Sequence, residues 1–329
     1  MSTSSDISLG AIRLQAQQRS DLEVNPSVSD AEWNTYISQS YKELYDILVA
    51  AYGNDYYVAQ PYQFTLTNAQ FYPMPDGSPL YNAQDGSVAP KFYKLLGLDL
   101  QYSASPSGYV TMKRLNFMDR NKYAYPNTAI NYNGYTNLRY RPMTNGLYLV
   151  PIPMSGQIAR AWYVPAPTSL SFILAGSSVL SSAIVGSMAS TYGITPGMSV
   201  YSSLRNVVPD VGTSVLSTTS TSFTLNVNAQ STVNNNTFQI WSDATTLDGI
   251  SGWEEYVVID AAIKALIKQE QDPSPLIMQK QAMKERIEAM AEGRDAGEAQ
   301  HVTDALGANS YGGGYDDDSG GGGWGQGGW

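Results

Sequence analysis

Few side chains in this sequence could carry out a reaction. There is no cysteine and a single histidine, His301. That excludes thiol catalysis, disulfides and zinc ribbons, and leaves any histidine triad, general base or metal site to one residue in a polar stretch. Carboxylates offer two arrangements. Glu254 and Glu255 are adjacent, but neighbours on a helix point about 100° apart, and Glu254 already fits a capping role. Asp316-Asp317-Asp318 offers oxygens to a divalent cation, yet metal ligands must converge at set geometry, and three consecutive residues in a glycine tether read as a solvated acidic run. No phosphate-binding glycine loop, nucleophile elbow or histidine-zinc motif occurs. No catalytic residue, metal site or cofactor is therefore expected, and the protein is not expected to be an enzyme. Four rings in the same glycine-rich tail, Tyr311, Tyr315, Trp324 and Trp329, suggest binding instead, because large apolar rings on such a tether expose surface at a cost unless they dock on a neighbour.

The elements that must carry such a surface are legible at the two ends. Ser29–Tyr52 and Ser251–Gln271 each open with a capping box, Ser29-Asp30-Ala31-Glu32 and Ser251-Gly252-Trp253-Glu254. Each continues as an apolar stripe at helical spacing: Trp33, Ile37, Tyr41, Leu44 and Leu48 in the first, and Trp253, Val257, Ile263 and Leu266 in the second. Trp33, Ile37, Leu44, Leu48, Trp253, Val257 and Ile263 are the expected anchors of one shared core. A shorter amphipathic helix is expected over 8–22, with Arg13, Gln17 and Arg19 on its polar side and Pro26 after it. Another follows the Asp272-Pro273-Ser274-Pro275 turn, and the first long helix should stop at Gly53-Asn54. Neither long helix is long or apolar enough to span a membrane, so no membrane anchor is expected.

Between them the period changes to two. Residues 62–67, 92–100, 109–112 and 158–164 read as strands, 117–123 as a short helix, and Leu138–Val150 as a hairpin with Asn145-Gly146 in a type I′ turn. Residues 169–247 carry only Arg205, Asp210 and Asp243 as charges, and their short apolar runs broken by turn residues predict a small β-sandwich or barrel. The expected fold class is α+β. A discontinuous α-helical bundle (1–55 and 248–293) holds an inserted tyrosine-rich antiparallel β region (56–168) and a further inserted all-β domain (169–247), and a flexible Gly-rich arm (294–329) follows.

Charge is uneven in a chain of net −10. Residues 1–168 hold 12 acidic and 12 basic side chains, and residues 248–329 hold 15 against 6. No basic patch for nucleic-acid phosphates is expected, while an acidic surface is suited to surround DNA without adhering to it. Met1-Ser2-Thr3-Ser4-Ser5-Asp6 lacks a basic region followed by an apolar run, so cytoplasmic assembly is expected rather than secretion.

Four segments carry a family resemblance. Ser29–Ile37 with Tyr41-Lys42-Glu43-Leu44-Tyr45 resembles the first long helix of tailed-bacteriophage head-to-tail adaptor (connector) proteins, and Phe92–Leu100, Trp162–Pro167 and Gly252–Val258 resemble that family in order and spacing. The likeness spans residues 8–168 and 248–295. It implies a non-enzymatic virion subunit at the neck, assembled in the host bacterial cytoplasm as a homo-oligomeric ring, twelve-fold, beneath the portal protein. Such a ring extends the channel for double-stranded DNA without sequence-specific binding and offers a platform to tail or tail-tube and nozzle proteins. The resemblance assigns the arm, with Tyr311, Tyr315, Trp324 and Trp329, to gripping the portal. Residues 169–247 fall outside the pattern and resemble β modules inserted into other phage structural proteins. Two alternatives stay open: a tail-side or receptor-binding protein whose β domain reads carbohydrate, and a carboxylate-based glycosidase in the tyrosine-rich sheet.

Overall fold

The computed structural model describes residues 7–292 except 24–26, 52–56, 78–79, 84, 102–107, 117, 119–120, 122–137, 210 and 251. Gly53-Asn54, most of the helix expected at 117–123, Ser251, His301 and the whole arm with Tyr311, Tyr315, Trp324 and Trp329 lie outside the described residues.

The expectation of a helical bundle with β insertions is overturned. Among the described residues there are fourteen strands in three sheets against four helices, and β structure is the bulk of the fold. Long capped helices announce themselves in a sequence, whereas strands of two to five residues give weak periodic signals. Counting by signal strength therefore inverts the true proportions.

The helices are α1 (Leu9–Arg19), α2 (Asp30–Ala51), α3 (Glu254–Lys268) and α4 (Ser274–Glu292). Ser8 caps α1 through its side chain, accepting from Ala11 N at 3.3 Å. Ser29 caps α2, accepting from Glu32 N at 3.3 Å. The reciprocal half of that box is not made: the Glu32 carboxylate accepts from Tyr36 and Lys268 instead. At α3 the serine of the expected box, Ser251, lies outside the described residues. Trp253 is the N-cap residue with no side-chain cap bond, and the Glu254 carboxylate accepts from Gly252 N at 2.9 Å.

Helices from both chain ends bury one core containing Leu9, Ile12, Trp33, Ile37, Leu44, Leu48, Trp253, Tyr256 and Val257. Three residues from the β side complete it: Leu170, Trp241 and Leu247. Ile263 is not part of it. It packs with Ile259, Leu266 and Leu276 in a separate cluster between α3 and α4.

Two small sheets enclose the tyrosine-rich core. One is ordered β1 (Tyr62–Thr65), β8 (Ile158–Pro165), β3 (Phe92–Gln101), β4 (Tyr109–Thr111). The other is ordered β2 (Phe71–Pro73), β7 (Gly146–Val150), β6 (Arg139–Met143), β5 (Lys113–Arg114). Both bury side chains in the same cluster, including Phe64, Leu98, Tyr140 and Tyr163. This region is not wholly antiparallel, because β5 pairs parallel with β6.

The β6–β7 hairpin turns one residue earlier than Asn145-Gly146 implied. Met143 pairs Gly146, leaving Thr144 and Asn145 as the loop, and neither has positive φ. Gly146 serves a different constraint: a Cβ there would lie 2.2 Å from Tyr72 O and 2.7 Å from the Phe71 ring. Close approach of β2, not turn geometry, demands glycine.

Strands β9 (Ser171–Ser178), β10 (Ile184–Gly186), β11 (Ser199–Ser202), β12 (Val215–Thr218), β13 (Phe223–Leu225) and β14 (Val233–Trp241) form one antiparallel sheet ordered β11-β14-β9-β10-β13-β12. Its two edges meet at the Ser199–Ser214 bridge, where Val200 N donates to Thr213 O at 3.0 Å and Val215 N to Met198 O at 2.8 Å. The sheet is thereby a closed barrel around Val185, Val200, Phe223, Phe238 and Ile240.

The barrel joins the helices at paired residues, Ser171 opposite Trp241. Beyond Trp241 the chain lies on α1: Leu9 N donates to Thr245 O at 2.8 Å and Gly10 N to Asp243 O at 3.0 Å. The barrel unit therefore ends near residue 240, and residues 241–250 belong with the helices. Directly opposed strand residues sit about 5 Å apart, so joining Leu170 to Trp241 by a four-residue Gly/Ser turn should leave the remainder folded with one cooperative melting transition. Deleting 169–247 instead removes Leu170, Trp241 and Leu247 and should lower stability by more than about 4 kcal/mol. Circular dichroism melts of the two deletions check this. Equal behaviour would place the boundary elsewhere.

Candidate functional site

Helix α2 is where the separate parts of the chain meet. Its stripe of aromatic and aliphatic residues buries one side, and its tyrosines reach past the core to main-chain carbonyls. Tyr41 Oη donates to Asp248 O at 2.7 Å, and Tyr45 Oη to Pro165 O at 2.8 Å. Tyr57, just beyond the helix, donates to Gly249 O at 2.6 Å. Pro165 ends β8, and Asp248 and Gly249 lead into α3. The last link between the barrel's two ends is Thr168 Oγ1 donating to Asp248 Oδ2 at 2.9 Å. Tyr93 on β3 donates to Asp46 of α2 at 2.6 Å. Burial pushes the Tyr41 phenol well above its ordinary range, reinforced by Asp248 and Tyr45. Burial, with Tyr93 and Asp46 nearby, pushes Tyr45 up to about 12. These phenols stay protonated and act as donors, not as acids.

A second cluster ties α2, α3 and α4 together. Asp260 keeps 4 % of its side chain exposed and accepts from Lys264 and from Lys280, the latter at 2.8 Å. Lys280 also donates to Glu43 Oε1 at 2.8 Å, which accepts from Tyr256 Oη at 2.8 Å. Lys264 donates to Ser40 Oγ at 2.8 Å. Burial alone would raise the Asp260 carboxyl, but hydrogen bonds from Lys264, Lys280 and Ser40 outweigh it and hold the group below the ordinary carboxylate range. Lys280 shows the mirror behaviour: burial opposes its charge, and Asp260 and Glu43 raise its pKa regardless.

The third tie is Arg13, expected on the polar side of α1 but buried. It donates to Asn34 Oδ1 at 3.1 Å and pairs with Asp243 at 2.9 Å and Asp30 at 3.5 Å. One guanidinium thus joins α1, α2 and the segment leaving the barrel, which its planar fork of donors permits and a lysine would not.

Glu254 and Glu255 diverge, the first onto Gly252 N and the second onto Arg19 at 2.8 Å. They line an open groove of about 590 Å³ with Ile7, Gln15, Gln18 and Val258. A smaller cavity of about 240 Å³ lies between α2 and the start of the barrel, bounded by Thr35, Gln39, Tyr41, Leu170 and Ile173. Among the described residues no three His, Asp or Glu side chains converge as metal ligands do, and no helix is long and apolar enough to cross a membrane. Of the expected anchors, Trp33, Ile37, Leu44, Leu48, Trp253 and Val257 converge in one core and Ile263 does not. Arg13, Asp260, Lys280 and the tyrosine donors went unread because their partners lie up to 237 residues away. The one trace is an unusual abundance of tyrosine, 24 residues.

Replacing Asp260 by Ala should destabilise the protein by about 3 kcal/mol at neutral pH, the low end for a broken buried pair because both lysines keep about a quarter of their surface in water. The folded pKa is depressed, so this contribution is complete above the unfolded value of about 4 and is lost as pH falls through the folded one. Urea unfolding of both proteins should therefore show the gap narrowing below about pH 4. Tyr41→Phe, which leaves Asp248 O without its donor, should cost about 1–2 kcal/mol at any pH from 5 to 9. No protein-family model matches the chain, and no curated protein matches it.

Proposed function

We propose that the chain is a structural subunit of a tailed-bacteriophage neck, a head-to-tail adaptor that assembles as a ring of twelve beneath the portal and prolongs the DNA channel toward the tail. One observation carries this reading. The four segments that resemble the adaptor family are scattered over more than 200 residues of sequence, and they meet around α2. Ser29–Ile37 opens α2, Phe92–Leu100 lies within β3, Trp162–Pro167 closes β8, and Gly252–Val258 opens α3. Tyr45 is bonded to Pro165, Tyr93 to Asp46, and Trp33 shares a core with Trp253. This shared neighbourhood supports the reading.

On this reading the closed barrel is an outward module, the helices hold the frame, and the glycine-rich arm carries its rings to the portal. Portal and tail proteins are the partners, and catalysis has no part in the role. Ring subunits need two different side faces complementary to each other, and such heterologous contacts close when the rotation per subunit divides a full turn.

Negative-stain images of the purified full-length protein, alone and with portal, should show twelve-fold rings. A truncation after Asp295 should remain folded and form the same core structure, yet fail to attach to DNA-filled heads. Proteomics of purified virions should find the chain in about twelve copies. Absence from virions, or a chain that stays monomeric with portal present, would sink the proposal.

A further inference from the structure

At the end of the barrel away from the helices, β9 turns into β10 through Val179-Leu180-Ser181-Ser182. Hydrogen bonds fix the turn. Leu180 N donates to Thr232 Oγ1 at 2.9 Å, Ser181 N to Ala229 O at 2.8 Å and Ser182 N to Val179 O at 3.0 Å. Ser181 takes the left-handed φ of 65° that tightens the chain there. Val179 and Leu180 nevertheless stand 59 % and 57 % exposed. The loop that supplies Ala229 and Thr232 also holds an exposed Val211 at this end, through Asn226 Nδ2 donating to Gly212 O at 2.8 Å. These aliphatic side chains are displayed on a rigid frame, which has little ordering entropy left to lose on contact.

A cavity lies at the other end of the same strand. Phe172 and Leu174 pack into the barrel, so alternation turns Ile173 outward. It is 64 % exposed at the edge of the cavity of about 240 Å³ between α2 and the barrel, whose buried lining includes Tyr41 and Leu170. Ile173 and Val179 are six residues apart, about 20 Å along an extended strand. A projecting turn and a recess therefore sit at opposite ends of β9.

We infer that a second copy of this chain seats its Val179-Leu180 turn in this cavity, joining barrels head to tail. Charge selects the occupant. Copies of a chain of net −10 repel one another, and they can touch most readily where charge is missing. Residues 169–247 hold three charges: Asp243 is taken by Arg13, and Arg205 and Asp210 are of opposite sign. Among the described residues lining the cavity Lys42 alone is charged, and it attracts an acidic copy. An apolar projection matched by a recess elsewhere on the same molecule makes a heterologous contact, which repeats as a closed ring or an open filament. A stable interface takes about 800 Å² from each partner, roughly a fifth of the surface of a module this size. The aliphatic turn supplies an apolar centre, and the serine, threonine and asparagine turns around it supply an uncharged rim. The contact stands on the barrel and its charge, not on the adaptor reading, so the two can fail separately.

The chain has no cysteine, which makes cross-linking a direct test. Leu180→Cys and Ile173→Cys replace exposed side chains, and circular dichroism melts of both full-length variants should match the unaltered protein. After oxidation with diamide, an equimolar mixture of the two should form a covalent dimer, because a disulfide requires the two positions to meet closely. Neither variant alone should do so. Leu180→Asp should weaken self-association in sedimentation equilibrium about tenfold or more, as loss of a central apolar anchor does. Ile173→Asp should act likewise from the other side, and Met278→Asp, exposed on α4, should have no effect. No mixed cross-link, or self-association unchanged by both barrel aspartates, overturns the inference. Cross-linking of Leu180→Cys with itself as fast as in the mixture overturns it too, in favour of a two-fold pairing of barrel ends. Twelve-fold rings lacking the mixed cross-link keep the adaptor reading and sink this contact. A mixed cross-link in filaments that never join portal does the reverse.

Discussion

The rest of the molecule depends on how α2 satisfies the main chain where it crosses between parts. A carbonyl buried without a donor costs roughly 1–3 kcal/mol, and three carbonyls, two of them part-buried and one at the surface, are met where the strands and the barrel leave or rejoin the helices. Tyr41, Tyr45 and Tyr57 supply the donors. Each also contributes ring area, Tyr41 to the helical core and Tyr45 against Tyr57 and Val164. Tyrosine is suited to this task because its body is apolar and its tip is a hydrogen-bond donor. A phenylalanine fills the space and leaves the carbonyl bare, and a serine reaches neither.

The charged cluster does a different job. Packing of leucines and tryptophans tolerates sliding by a turn or a rotation, whereas Asp260 accepts from Lys280 only in one register of α3 against α4, and Glu43 fixes α2 to the same lysine. Desolvation opposes the attraction in such pairs, so well-packed apolar residues of similar volume are often as stabilising. What they contribute is geometric selectivity. Arg13 plays the corresponding part on the other side, locking α1 to α2 and to the segment leaving the barrel.

What the sequence disclosed and what it concealed follow from the range of the interactions. Helix starts, the apolar stripes and the barrel's span are local patterns, and Trp33, Trp253 and most of their stripes sit where the periodicity puts them. The proportion of β structure was misjudged because β2, β5 and β10 are two or three residues long, too short for alternation to register. The Asn145-Gly146 turn misled because glycine answered to the Phe71 ring and Tyr72 carbonyl on another strand, which no window of sequence contains. Arg13 misled because polar spacing on α1 says nothing of an asparagine and two aspartates waiting elsewhere.

Splitting one core between the chain's two ends sets a timetable for biosynthesis. Tyr41 cannot meet the Asp248 carbonyl until 207 further residues have been made, which at about 5–20 residues per second is a wait of about 10–40 s. During that interval the apolar stripe of α2 lacks its partners on α3. The barrel shortens the remaining search. All its strand pairs form within residues 171–241, and once it closes, its two ends emerge side by side, so the final helices are delivered next to the partners they were made to cover.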